Sequence, residues 1–226
     1  MGDVRLVLVP ALLLAAIVAV LWSTAQRSAQ ALVRPEADGA QYRLTDAAAD
    51  AAHVRKVPAP GPLTFAPGTL DGDRRAVLRA VAAARPEARR LVDAVAGLTT
   101  VSVGTLRPGV AGEARTDDGR YRVTLDLAAA ARYGERGTIR LTLHELGHVV
   151  DYALVTTALE RRLDAAIPAG WGCDDGGVSG GCAAREERFA ESFAKWAAGD
   201  IGVGVDLGYR VPPPPPDWGG PLAELR

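Results

Sequence analysis

Two histidines one helical turn apart, in a largely apolar stretch, constrain this chain more than any other feature. They stand in the run His144-Glu145-Leu146-Gly147-His148. A spacing of four puts both imidazoles on one face of a helix, where together they can bind a single metal ion. Leu141, Leu143, Val149 and Val150 make that helix apolar nearly all round, as a helix through a core must be. Thr138, after Gly137, is placed to cap it, so the helix is expected over about 139–158. Glu145, between the histidines, is placed to take a proton from a water held by zinc.

A catalytic zinc takes three protein ligands and leaves a fourth position to water. The chain has only 3 His, and the remaining one, His53, falls in a linker-like region, so a carboxylate is expected as the third ligand. Glu187 and Glu191 are the candidates. They too lie four apart on one helical face, within a helix expected over Glu186–Ala198 whose buried side is marked by Phe189 and Phe193. A solvated charge cluster is the alternative for residues 185–188. Against it, Glu191 sits in an apolar run, where a carboxylate is costly unless paired.

Around these helices the pattern is that of an α+β domain with a small antiparallel or mixed sheet. Asp71 reads as the cap of a helix carrying Val77, Leu78 and Val81, and Pro86 opens a second one that Gly97 closes. The β-branched run Thr99–Val103 reads as a strand. Asp117-Asp118-Gly119 between Glu113–Thr116 and Arg120–Leu127 is a hairpin signal, with Tyr121, Val123, Leu125 and Leu127 on one face.

The ends are of a different kind. Leu6 to Trp22 contains no charged residue and, at about 1.5 Å per residue, falls at the lower limit for crossing a bilayer as a helix. Residues 1–24 therefore read as a membrane anchor or a cleaved signal peptide; Trp22 favours the anchor, and Ala29-Gln30-Ala31 is the alternative's cleavage pattern. Residues 25–62 read as a stalk closing on alternating prolines, 63–200 as the domain, and 201–226 as a proline-rich tail without core-forming capacity. Cys173 and Cys182 flank a Gly-rich loop; extra metal ligands or free buried thiols are the alternatives to a disulfide, which is the better reading and implies an oxidising compartment and hence an extracytoplasmic domain. With 26 Lys+Arg against 27 Asp+Glu, nothing suggests a nucleic-acid partner.

The two motifs together resemble the gluzincins, most closely the lethal-factor-type peptidases. In that family the active helix reads His-Glu-Phe-Gly-His with an Asp following, as Asp151 does here. A later helix reads Glu-Phe-Phe-Ala-Glu-Ala-Phe, against Glu187-Arg188-Phe189-Ala190-Glu191-Ser192-Phe193. The resemblance covers about residues 138–198 and implies a zincin-like fold, with the sheet packed on an active-site helix and a glutamate-bearing helix. It makes Glu187 the third zinc ligand beside His144 and His148. It gives Glu191 and Asp151 supporting roles behind the ligands, Glu191 through a hydrogen bond to a zinc-bound histidine. The family's Tyr seven residues before the liganding Glu is Gly180 here, which leaves Tyr209, Tyr152 and Arg185 as substitutes for the oxyanion-stabilising group. Metzincins are excluded: Asp151 and Leu154 replace their Gly and third His, and Met1 is the sole methionine.

The expected function is that of a membrane-anchored, extracytoplasmic zinc metallopeptidase acting on a peptide or protein substrate, with Glu145 as general base. The rival expectation is a cell-surface binding or adhesion protein that keeps the metal and lacks turnover. Substrate preference and oligomeric state are not written in the sequence.

Overall fold

The Asp-Gly pair turns the chain back on itself. Asp118 and Gly119 take φ of 47° and 74°, the left-handed pair a tight hairpin needs. They join strands β3 (Gly112–Asp117) and β4 (Arg120–Leu125), antiparallel with Ala114 opposite Val123. The other two strands, β1 (Thr64–Phe65) and β2 (Thr99–Val103), are parallel: β1 pairs with β2, and β2 with β4. The sheet is therefore mixed, in the order β1-β2-β4-β3, and β3 lies at one edge. Alternation decides its faces, since Val101, Val123, Leu125 and Ala114 are buried while Thr100, Ser102 and Thr124 are only half-buried.

These strands belong to a computed structural model that describes residues 59–168, 185–203 and 211–225. The expected anchor or signal peptide, the stalk up to residue 58, Cys173, Cys182, Gly180 and Tyr209 lie outside the described residues. Among the described residues no helix is long and apolar enough to cross a membrane.

Seven helices are described: α1 (Asp71–Ala82), α2 (Pro86–Ala96), α3 (Leu127–Ala131), α4 (Gly134–Leu154), α5 (Thr157–Ala166), α6 (Arg185–Ala198) and α7 (Gly220–Ala223). Asp71 does not cap α1. It lies with Asp73 inside the first turn, where carboxylates meet the positive end of the helix dipole, and Leu70 is the capping position. Pro86 opens α2 as expected, because its missing N–H has no partner at a first turn anyway.

The long central helix differs from expectation at both ends. Asp126 ends β4 early and caps α3 by accepting a hydrogen bond from Ala129 N at 2.9 Å, so Leu127 leaves the strand face for a helix. Gly134 then turns the chain straight into α4, which starts before Thr138. At the other end Val155 is extended, and the Thr156 side chain accepts from Leu159 N at 3.3 Å to start α5. One expected helix over 139–158 is two helices because Thr156 is a better start signal than any residue there is a continuation signal.

The core lies between the sheet and helices α1, α2, α4 and α6, with Val77, Val92, Leu143, Leu146, Val149, Val150 and Phe193 fully buried. The proline-rich tail contributes to it, which corrects the reading of that segment. Val211, Trp218 and Leu222 are buried, and Trp218 Nε1 donates to the Leu163 carbonyl at 3.0 Å. The Trp218 ring stands edge-on to Phe189 with centroids 5.5 Å apart. Prolines leave few backbone donors to satisfy, so the segment can lie along the surface and still place one indole inside.

Candidate metal centre

Helices α4 and α6 cross closely because the fourth residue of the histidine motif has no side chain. A Cβ at Gly147 would stand 3.0 Å from the Phe193 ring and 3.3 Å from Ala190 Cα. Glycine inside a helix costs about 1 kcal/mol relative to alanine. Here that cost is offset by an approach that brings two polar ridges into register.

Along α4 the ridge is Arg136, Arg140, His144, His148 and Tyr152, each four residues from the last. Along α6 it is Glu187, Glu191 and Lys195. The ridges run antiparallel. His144 Nε2 lies 3.0 Å and His148 Nε2 3.6 Å from Glu187 oxygens, while His144 Nδ1 lies 3.3 Å from Glu191 Oε2. Farther along, Arg140 pairs with Glu191 and lies 3.6 Å from Asp200 Oδ2, which is also reached by Arg136 through Oδ1 at 3.0 Å. Lys195 Nζ lies 3.3 Å from Glu191 Oε1 and donates to the Val211 carbonyl at 2.7 Å.

His144, His148 and Glu187 can bind a metal ion. All three are buried and offer ligand atoms within 4.8 Å of one another. Two imidazoles and one carboxylate are a donor set suited to zinc with a position left open. Glu191 has both oxygens engaged, one by His144 Nδ1 and one by Arg140 and Lys195, on the side of the ring away from Nε2.

Electrostatics follow from burial and these pairs. Burial alone would lower the pKa of His144, but its hydrogen bonds to the Glu187 and Glu191 carboxylates override it and raise it to about 10. Burial works against ionisation of Glu187 as well. The charge of His148 and hydrogen bonds from both histidines win, holding Glu187 well below the usual carboxylate range. Glu191 is likewise lowered against its burial, by His144, Arg140 and Lys195.

Glu145 has the opposite environment. It is buried, and desolvation pushes its carboxyl up to about 7 despite the opposing charges of His144 and His148. Its carboxylate lies against the first residue of the edge strand, since a Cβ at Gly112 would collide with Glu145 Oε1. A carboxyl poised near neutrality beside a metal-competent triad can accept and return protons.

The remaining expected residues are placed as follows. Asp151 is buried with Oδ2 3.5 Å from Arg185 Nη1, and Arg185 also pairs with Glu160. Tyr152 presents its hydroxyl to His148 Nδ1 at 3.3 Å. Arg188, where the resembled family has an aromatic, ties α6 to the end of α5 through Asp164 at 2.8 Å and the Ile167 carbonyl at 2.9 Å. Arg140, Lys195, Asp200 and Gly112 were not singled out from the sequence. Arg140 had a usable signal, a charged residue one turn before His144 on the same ridge of an apolar helix. No model of a known family, no curated protein and no solved structure matches the chain.

Proposed function

We propose that the protein is a zinc metallopeptidase with a zincin-like domain of the gluzincin, lethal-factor-like kind. The observation that carries this reading is the convergence of His144, His148 and Glu187 within 4.8 Å, with the buried Glu145 next to His144 in sequence and held near neutrality. In this reading His144, His148 and Glu187 hold zinc. The bound ion supplies Lewis acidity toward a water and toward the carbonyl of a peptide bond. Glu145 removes the proton of the attacking water and returns it to the leaving amine, the double duty of a buried carboxylate beside the metal ligands. Glu191 accepts the Nδ1 proton of His144 and so keeps Nε2 free for the metal. The uncharged run at 6–22 and the Cys173/Cys182 pair support an anchored domain on the oxidising side of a membrane.

The test is metal content and peptide hydrolysis measured together. The full chain is expected to carry one zinc and to cleave members of a quenched peptide library. Glu145→Gln is expected to keep the zinc and lose cleavage, whereas His144→Ala and Glu187→Ala lose the zinc. Cleavage by a clean, zinc-loaded Glu145→Gln preparation would refute the assigned base. A wild-type chain that holds zinc and cleaves nothing would favour the rival reading, a surface binding protein on the same scaffold.

A further inference from the structure

The two histidines differ in what stands behind them. His144 has the Glu191 carboxylate at Nδ1, anchored in turn by Arg140 and Lys195. His148 has a phenol: the Tyr152 hydroxyl lies 3.3 Å from its Nδ1, and the two rings stack at 22° with centroids 5.9 Å apart. Tyr152 follows His148 by four residues on α4, so the helix itself delivers the hydroxyl to the ring. Its side chain is buried, and its ring leans on Tyr121 of β4 with centroids 6.1 Å apart, which holds the phenol in place from the sheet side.

We propose that Tyr152 is the positioning residue of His148, fixing the ring tautomer that leaves Nε2 free for the metal. The inference rests on the metal-site reading above. His148 Nε2 faces Glu187, so the ring can ligate on that side only if its proton is on Nδ1. That proton needs an acceptor in a buried place, and the phenol oxygen is within reach. The same geometry removes Tyr152 from the candidates for an oxyanion-stabilising group. Its hydroxyl is engaged on the face of His148 opposite the ligating nitrogen. A neutral acceptor behind one histidine and a carboxylate behind the other make the pair unequal, with His148 the weaker donor and the one more dependent on orientation.

The test is zinc affinity of the full chain, measured by competition with a chelator, for wild type, Tyr152→Phe and Tyr152→Leu. Tyr152→Phe keeps the ring and its stacking and removes only the oxygen, so it is expected to fold as wild type by circular dichroism. Its zinc affinity is expected to fall about 10- to 100-fold, the range seen when such outer partners are removed. Tyr152→Leu, which loses stacking as well, is expected to fall at least as far. In nitrogen-15 NMR of the zinc-loaded wild type, His148 is expected to show an exchange-protected Nδ1 proton that Tyr152→Phe lacks. Unchanged zinc affinity with a retained Nδ1 proton in Tyr152→Phe would overturn the proposal. So would unchanged affinity with lost cleavage, the result expected of a group that faces substrate. A wild-type chain that takes up no zinc would sink the metal reading together with this one.

Discussion

Glu191 stands between His144 and Arg140 with one carboxylate oxygen turned to each, Oε2 toward His144 Nδ1 at 3.3 Å and Oε1 toward the guanidinium. Arg140 is fully buried and Glu191 nearly so. A buried charge whose partner is removed costs far more than the pair is worth, about 3–5 kcal/mol. Arg140→Met is therefore expected to destabilise the metal-free chain by about that much in denaturant unfolding. Arg140→Met combined with Glu191→Gln is expected to cost less than the two single changes added together, because each single change strands the other partner of the Arg140–Glu191 pair and the double change removes both. A stable Arg140→Met chain would show that Lys195 alone suffices for Glu191.

Gly112 separates folding from chemistry. Its Cβ position is already filled by the Glu145 side chain, on top of Oε1 and within 2.6 Å of Cδ and 2.7 Å of Cγ. The obstructing atoms all belong to one side chain, from Cγ outward, so alanine at 112 forces Glu145 into another rotamer. Gly112→Ala is expected to keep the melting temperature within a few degrees and the zinc stoichiometry unchanged. Cleavage is expected to fall about 100-fold or more, the scale of losing a general base. A variant that cleaves like wild type would mean that Glu145 works from a different rotamer.

Metal uptake is expected to depend on pH in a direction set by His144. Without metal, burial opposes its protonation but the hydrogen bonds of Glu187 and Glu191 raise its pKa to about 10. Such a raised group contributes stability that is complete below its unfolded pKa of about 6.5 and is lost as pH rises through about 10. Glu187 is depressed, by the charge of His148 and hydrogen bonds from both histidines against the effect of burial. Its contribution is present above an unfolded pKa of about 4.3 and is lost in acid. Zinc needs His144 neutral, so binding displaces one proton. Affinity should then strengthen by about tenfold per pH unit between pH 6 and 8, with one proton released in a weakly buffered titration. A pH-independent affinity would show that His144 is already neutral in the metal-free chain.

The sequence made the site more legible than the scaffold around it. His144, His148, Glu187 and Glu191 could be placed in advance because a four-residue spacing on a helix leaves little choice of face. The partner helices' crossing was written in Gly147, yet glycine in a helix has many possible meanings and only the facing Phe193 gives it one. Arg140 carries the same four-residue spacing, one turn before His144, but in a chain rich in arginine that signal gains weight only once its full burial is known. Helix ends were the least legible. The switch from α4 to α5 depends on the Thr156 hydroxyl reaching Leu159 N, a local hydrogen bond that competes with helix continuation by a small margin. The tail misled because composition averages over residues, and six prolines outweighed a single tryptophan.

That tryptophan gives the last expectation. Trp218 is buried, donates to the Leu163 carbonyl and stands against Phe189, the residue two after Glu187. Beside it, Lys195 reaches from Glu191 to the Val211 carbonyl. The tail thus holds α6 at two points, through Trp218 against Phe189 and through the Val211 carbonyl on Lys195. Trp218→Ala removes a large buried ring and a satisfied indole N–H, a change that costs about 3–5 kcal/mol in other cores. It is expected to lower the melting temperature by that equivalent and to weaken zinc binding as α6 loosens. A chain ending at residue 210 is expected to lose more on both counts. Equal melting temperature and equal zinc affinity for that truncated chain would show that α6 is held in place by α4 alone.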